Sequence, residues 1–87
     1  MKVQRTTAFK KAFKKLNAKD QGLVEELTRL LVTDETLDFK YKDHALVGNW
    51  EGFRSAHVRP DLLLIYQKND EELVLLLAAL GKHSKLY

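Results

Sequence analysis

The sequence contains no cysteine, so the fold cannot depend on disulfide bonds and a metal site cannot use thiolate ligands. Long apolar runs are also missing. The longest, Leu73 to Leu80, is far shorter than the roughly 20 residues that a helix needs to cross a bilayer. The N-terminal "MKVQRTTAFKKAFKK" has no apolar core typical of a secretion signal. We therefore expect a soluble intracellular protein with no membrane partner.

Repeats, low-complexity segments and linkers are absent as well. Hydrophobic residues make up 45% of the 87 residues and charged residues 31%, which is ordinary for a globular protein with one modest core. We expect a single domain over residues 1–87.

Acidic residues are missing from the first part of the chain. Residues 1–19 carry seven lysines and arginines and no acid, whereas residues 20–43 carry seven acids and three basic residues. Such a positive segment can attract the phosphates of a nucleic acid. It can also be the solvated face of a helix, and we favour that interpretation for four lysines taken alone: Lys10, Lys11, Lys14 and Lys15.

Two apolar stripes with helical spacing predict an N-terminal helical hairpin. Thr6 or Thr7 can cap the first helix and Asp20 the second. The stripes are Phe9, Ala12, Phe13 and Leu16, and then Leu23, Val24, Leu27, Leu30 and Leu31.

The second half of the chain predicts sequential antiparallel strands. The runs rich in apolar, branched or aromatic residues are Trp50 to Val58, Leu62 to Gln67 and Glu72 to Leu80, and Met1 to Gln4 can form a further short strand. Leucines at both parities of the last strand predict that it is covered on both faces and lies inside the sheet. The predicted fold is α+β, with the helical hairpin packed on a small antiparallel β-sheet.

Three histidines lie near the predicted sheet: His44 in the loop before it, His57 in its first long strand and His83 after its last. Their spacing lacks the short-range patterns of zinc sites, so we predict no metal. Asp61 follows His57 across the turn at Pro60. A single histidine is usually an ordinary surface residue. Histidines and a carboxylate around one sheet, however, can supply the base and acid that cleave RNA through its own 2′-hydroxyl.

The segments "YKDHALVGNWEGFRSAHVRPDLLLIYQ" and "LGKHSKLY" resemble the YafQ-like branch of the RelE/ParE superfamily, the toxin halves of bacterial type II toxin–antitoxin modules. The resemblance implies a RelE-like, microbial-ribonuclease-like fold and ribosome-dependent cleavage of mRNA in the A site, with no cofactor. It also implies a DinJ/RelB-like antitoxin as partner, a bacterial cytoplasmic location and no DNA contact by the toxin alone.

The same resemblance assigns roles to individual residues. His44 matches the histidine of a "DHxL" loop, His57 and Asp61 match an "HxxPD" segment, His83 matches a C-terminal "GxH" and Tyr87 matches the terminal aromatic residue. It implies that His83 is the general acid and that Asp61 or His57 is the base or its electrostatic partner. His44 is then a phosphate or proton-relay residue, and Tyr87 is a stacking platform.

Two positions depart from the family pattern. An arginine usually stands four residues before the final histidine, where this chain has Ala79, so the phosphate-neutralising cation is missing. Either Arg54, Arg59 or Lys82 binds the substrate phosphate instead, or Ala79 was introduced to disarm the toxin. An alanine at this position of a leucine-rich strand favours the second explanation. An acidic residue is also frequent where this chain has Ser55.

Other interpretations stay open at this point. Arg54 can pair with Asp43 or Glu51 instead of phosphate, and Tyr87 can be a frayed terminus. The domain can also be a module that binds RNA or the ribosome without cleaving, or a ParE-type inhibitor of DNA gyrase. The three histidines with Asp61 argue against the gyrase inhibitor, which needs no histidines.

Overall fold

Five strands and three α-helices are described over residues 1–87 in a computed structural model. In chain order they are β1 (Lys2–Arg5), α1 (Thr7–Lys14), α2 (Ala18–Val32), β2 (His44–Ala45), β3 (Arg54–Arg59), β4 (Leu62–Asn69), β5 (Val74–Gly81) and α3 (His83–Leu86). None of the helices combines the length and the apolar character that crossing a membrane requires.

The start of α1 is fixed by Thr6, one of the two predicted caps. Its Oγ1 accepts a hydrogen bond from the Phe9 amide at 3.0 Å, which satisfies an amide that has no partner within the helix. The same hydroxyl donates to the Ala78 carbonyl at 2.6 Å. The cap therefore also ties α1 to β5, 72 residues further along the chain.

The start of α2 is fixed by Asn17, whose Oδ1 accepts the Asp20 amide at 2.8 Å. The prediction that Asp20 caps this helix is wrong, because the helix already begins at Ala18. Asp20 lies inside the first turn, and its carboxylate accepts two hydrogen bonds of 3.0 Å from Arg59 on β3.

The sheet is mixed, with the strand order β1-β5-β4-β3-β2. The predicted α+β fold, with sequential antiparallel strands and an interior last strand, is confirmed, since β5 lies between β1 and β4. One pairing is parallel, that of β1 with β5, so the sheet is not antiparallel throughout. Backbone bonds from the Lys2 amide to the Leu73 carbonyl (2.7 Å) and from the Thr6 amide to the Leu77 carbonyl (3.1 Å) hold β1 in place.

The segment before β3 turns instead of extending. The prediction that this strand begins at Trp50 is wrong, because Trp50 ends a short 3-10 turn and β3 begins at Arg54. Gly48 and Gly52 have φ angles of +68° and +91°, which glycine tolerates and other residues rarely adopt.

The two faces of the sheet are covered differently. The helix face packs against α1 and α2, and its larger core includes Phe9, Val24, Leu27, Leu31, Leu64, Leu75 and Leu77. The opposite face, called the tail face here, has a smaller cluster of Ile65, Ala78 and Ala79, flanked by Leu46, Trp50, Phe53, Leu76 and Leu86. Burying one leucine side chain contributes about 1.5–3 kcal/mol, so the helix face provides most of the hydrophobic stabilisation.

Candidate active site

A transverse row of residues crosses the tail face. His44 on β2 pairs with Ser55 on β3, Ser55 pairs with Ile65 on β4, and Ile65 pairs with Ala79 on β5. Directly paired residues of neighbouring strands project from the same face of a sheet. His44 and Ala79 therefore share the tail face, roughly 14 Å apart at a strand spacing of about 4.8 Å.

A second row brings the other two histidines to the same end of the sheet. His57 pairs with Leu63 on β4, and Leu63 pairs with Gly81, the last residue of β5. His57 lies two residues beyond Ser55 on β3 and so projects from the tail face as well. The chain continues from Gly81 through Lys82 to His83, which begins α3. Two strand spacings, roughly 10 Å, thus separate His57 from the strand end that carries His83.

The C-terminal tail is held in place and is not a frayed end. Trp50 Nε1 donates to the Leu86 carbonyl at 3.2 Å, and the Trp50 ring meets Phe53 edge to face with centroids 5.5 Å apart. The His83 and Tyr87 rings lie 4.7 Å apart, tilted by 52°. Tyr87 is 52% exposed, so part of this residue is accessible to a ligand. Trp50 is a residue whose anchoring role the sequence did not reveal.

The prediction that His44 lies in a loop before the sheet is wrong, because it belongs to the edge strand β2 and pairs with Ser55. His44 is exposed, and its Nδ1 lies 2.8 Å from the Lys42 carbonyl oxygen. A carbonyl can only accept, so Nδ1 carries the hydrogen in this contact. In the neutral imidazole the basic nitrogen is then Nε2.

Arg59 is the binding partner of the Asp61 carboxylate. It binds Asp61 in a very short ion pair and Asp20 in two hydrogen bonds of 3.0 Å. Hydrogen bonds to Asp20 and then Asp61 raise the pKa of Arg59 above its ordinary value. No hydrogen bond joins His57 to Asp61; the carboxylate is exposed at the turn between β3 and β4.

Arg54 lies on the helix face and is already paired. Its guanidinium donates to both oxygens of Asp43 at 3.2 Å, as one of the alternatives from the sequence predicted. Asp43 also accepts the Tyr66 hydroxyl at 2.6 Å. Burial, followed by the bond to Asp43, raises the pKa of Tyr66 well above its usual value. This network holds the backbone immediately before His44, a positioning role of Asp43 and Tyr66 that the sequence did not reveal.

Lys82 is the one candidate phosphate-binding cation without a carboxylate partner. It is exposed between Gly81 and His83 and takes part in none of the five ion pairs. The structure thus brings together His57, His83 and Lys82 at one end of the sheet, with Asp61 at the neighbouring turn. Arg54 and Arg59 are directed to the helix face.

Ser55 is an unusual feature of the tail face. Its side chain is fully buried, and its hydroxyl oxygen has no hydrogen-bond partner. An unpaired buried hydroxyl costs about 1–3 kcal/mol. Ser55 and Ala79, the two positions that depart from the family pattern, lie in the same row with only Ile65 between them.

No group of three or more histidine, aspartate or glutamate side chains is placed so as to hold a metal ion. The histidines lie in different rows or beyond the strand end, which leaves them too dispersed for shared coordination.

Comparison with known proteins places this fold among the toxins of bacterial type II toxin–antitoxin systems. The whole chain, residues 1–87, matches the family model described as "Bacterial toxin of type II toxin-antitoxin system, YafQ". The chain therefore belongs to the YafQ toxin family, and the resemblance found in the sequence is confirmed.

Individual relatives agree with this assignment. The mRNA interferase toxin YafQ of Escherichia coli strain K12 is 40% identical over 70 residues, which is 79% of this chain and 74% of that protein. A copper-bound mutant toxin from Helicobacter pylori is 38% identical, with a TM-score of 0.89 over 100% of this chain and 99% of that one. The toxin in the E. coli DinJ–YafQ toxin–antitoxin complex is 33% identical, with a TM-score of 0.84 over 98% of this chain and 94% of that one.

Proposed function

We propose that this chain is a ribosome-dependent endoribonuclease that cleaves mRNA in the A site. The observation that carries the proposal is the row His57, Leu63, Gly81, because it sets one histidine two strands from the strand end that bears another. An acid and a base on opposite sides of a scissile phosphate need such a separation. The relative from E. coli is named as an mRNA interferase, which supports the same reaction class.

In the proposed reaction, a base removes the proton of the 2′-hydroxyl, and the 2′-oxygen attacks the adjacent phosphorus. The bond from phosphorus to the 5′-oxygen breaks, and the His83 imidazolium donates a proton to that oxygen. The products are a 2′,3′-cyclic phosphate and a 5′-hydroxyl, and the scheme uses no metal ion or organic cofactor. His57 is the better base, because the Asp61 carboxylate already accepts from Arg59.

The remaining residues take supporting roles in this proposal. With Nδ1 donating to the Lys42 carbonyl, the other ring nitrogen of His44, Nε2, faces a phosphate hydroxyl or a relayed proton. Tyr87, half exposed beside His83, provides a face on which a base can stack. Lys82 is the cation best placed to meet the phosphate.

Ala79 attenuates the activity in this proposal. Its methyl group leaves the row from His44 to β5 without a cation, and loss of one transition-state donor costs on the order of 100- to 1,000-fold in rate. Arg54 and Arg59 cannot compensate without breaking their bonds to Asp43 and Asp20.

The lack of a cation at residue 79 favours one second candidate function, a module that binds the ribosome without cutting mRNA. Ribosomes programmed with an end-labelled message separate the two. Cleavage at A-site codons supports the nuclease, occupancy without cleavage supports the bare binder, and absence of both contradicts each of them.

An antitoxin of the DinJ/RelB type is the proposed partner, as the E. coli DinJ–YafQ complex suggests. A groove of about 670 Å³ between α1 and α2 is lined by the apolar side chains of Phe9 and Phe13. Its charged lining is one carboxylate, Glu25, and four cations, of which Arg29 is paired with Glu26: Arg5, Lys10, Lys14 and Arg29. An amphipathic acidic segment complements such a groove in both polarity and charge. A toxin that acts on ribosomes and is held by this partner belongs in the bacterial cytoplasm, with no DNA contact of its own.

A further inference from the structure

A second groove lies at the end of the sheet and extends from Asp61 and Lys82 to residues that have no assigned catalytic role. This basic groove is a cavity of about 480 Å³ between α1 and the adjoining ends of β4 and β5. Its charged lining consists of one carboxylate, Asp61, and five cations: Lys11, Lys15, Arg59, Lys82 and Lys85.

Four of the five cations have no counter-charge in the protein. Arg59 is bound by Asp20 and Asp61. The others are exposed and belong to no ion pair: Lys11, Lys15, Lys82 and Lys85. Two of these lysines come from α1 and two from the C-terminal tail, so tertiary packing assembles a concentration of positive charge that neither segment has alone. Such a cavity favours a polyanion, whose binding releases counterions.

We propose that the basic groove binds the sugar–phosphate backbone of the single-stranded message next to the scissile nucleotide, an inference that rests on the proposed function. The groove shares Asp61 with the candidate active site, and Lys82 directly precedes His83. An RNA strand whose scissile phosphate lies at His83 therefore continues into the basic groove. Flexible lysines, which act as point charges, suit contacts that must be independent of base sequence.

The chain provides its own matched control on α1. Lys11 and Lys15 line the basic groove, whereas Lys10 and Lys14 line the other side of the same helix, toward α2. Both pairs have the same charge, the same spacing and the same exposed surroundings. Replacing either pair by glutamine changes the net charge equally and differs only in the groove affected.

The experiment measures binding of a short fluorescent single-stranded RNA with 2′-O-methyl riboses, which cannot be attacked by their own 2′-oxygen. Two phosphate contacts contribute about 1.4 to the slope of log affinity against log salt, or about 25-fold in affinity at about 0.1 M salt. We expect the double variant Lys11→Gln, Lys15→Gln to bind the RNA about 25-fold more weakly. Its slope of log affinity against log salt should be smaller by about 1.4. Lys10→Gln with Lys14→Gln should lose less than about threefold. Thermal unfolding of each variant checks that both remain folded.

Equal losses for the two pairs, or no RNA binding by the parent, overturn the proposal, because the charge of α1 would then act without a defined groove. A loss of affinity for vacant ribosomes or for the antitoxin, with RNA binding intact, also overturns it and assigns the groove to that partner. Failure of the proposed function looks different. If the parent binds RNA through the basic groove but cuts no programmed message, the groove proposal stands and the proposed nuclease function is contradicted. If the Lys11→Gln, Lys15→Gln variant cuts as fast as its parent, the nuclease function stands and the groove proposal is contradicted.

Discussion

Restoring a cation at residue 79 tests the candidate active site most directly. Ala79 is 8% exposed and projects from the tail face beside Ile65, in the row that ends at His44. An arginine at residue 79 has to extend across the tail face, past Ile65, to reach the end of the sheet where His57 and His83 lie.

The expected size of the effect combines two terms. A preorganised donor to the phosphorane contributes on the order of 100- to 1,000-fold in rate, about 2.7–4 kcal/mol. Inserting a long side chain into the tail-face cluster costs about 1–3 kcal/mol of folding free energy, which leaves a typical domain of 5–15 kcal/mol folded and its rate constant unaffected. We therefore expect Ala79→Arg to raise single-turnover cleavage about 100-fold, and by at least about tenfold.

The assay uses programmed ribosomes and an end-labelled message, with thermal unfolding measured in parallel. Ala79→Gln is the matched control, because it adds a polar stem of similar bulk without charge and should gain little rate. Expression of Ala79→Arg should become toxic unless an antitoxin is co-expressed. Equal cleavage by the parent and Ala79→Arg, with both folded and bound to ribosomes, would refute the argument that the missing cation limits the reaction.

Three further predictions follow from the site and its supports. In the Ala79→Arg background, His83→Gln should lower the single-turnover rate on the order of 100- to 10,000-fold and abolish the fall in rate at alkaline pH; an unchanged pH profile would show that His83 is not the acid. Tyr66→Phe should lower the free energy of unfolding by about 1–2 kcal/mol at neutral pH, through loss of the bond to Asp43. Because the fold raises the pKa of Tyr66, the stabilisation by its hydroxyl is complete below the unfolded pKa of about 10 and is lost as pH rises through the folded pKa. The difference in free energy of unfolding between the parent and Tyr66→Phe, measured with denaturant, should therefore shrink above about pH 10. A difference that stays constant to about pH 11 contradicts this prediction. Arg5→Glu should weaken antitoxin binding about tenfold at low salt and much less at high salt; an effect independent of salt between about 50 and 500 mM would count against electrostatic docking in the α1–α2 groove.

Local patterns in the sequence were sufficient for the helices α1 and α2, for the order of β3, β4 and β5, and for the interior position of β5, but they did not predict α3. Each of these depends on apolar periodicity or on short turns, which act over a few residues. The family motifs located the candidate site residues, whose catalytic roles remain predictions. The start of β3 was missed because the turn at Gly48 and Gly52 interrupts an aromatic run that reads as a strand.

The sequence by itself determined the amphipathic helices, the buried strands and the positions of the three histidines along the chain. Only the tertiary structure decided that β1 pairs in parallel with β5, that Arg54 and Arg59 are bound by Asp43 and Asp20, and that lysines of α1 and of the tail surround one groove. These contacts join residues that are far apart in the chain. Local sequence preferences do not select such partners, because each short segment is equally compatible with several others. Packing of the two helices on one face of the sheet selects among those partners, because it fixes the strand register and therefore which charges meet and which remain free.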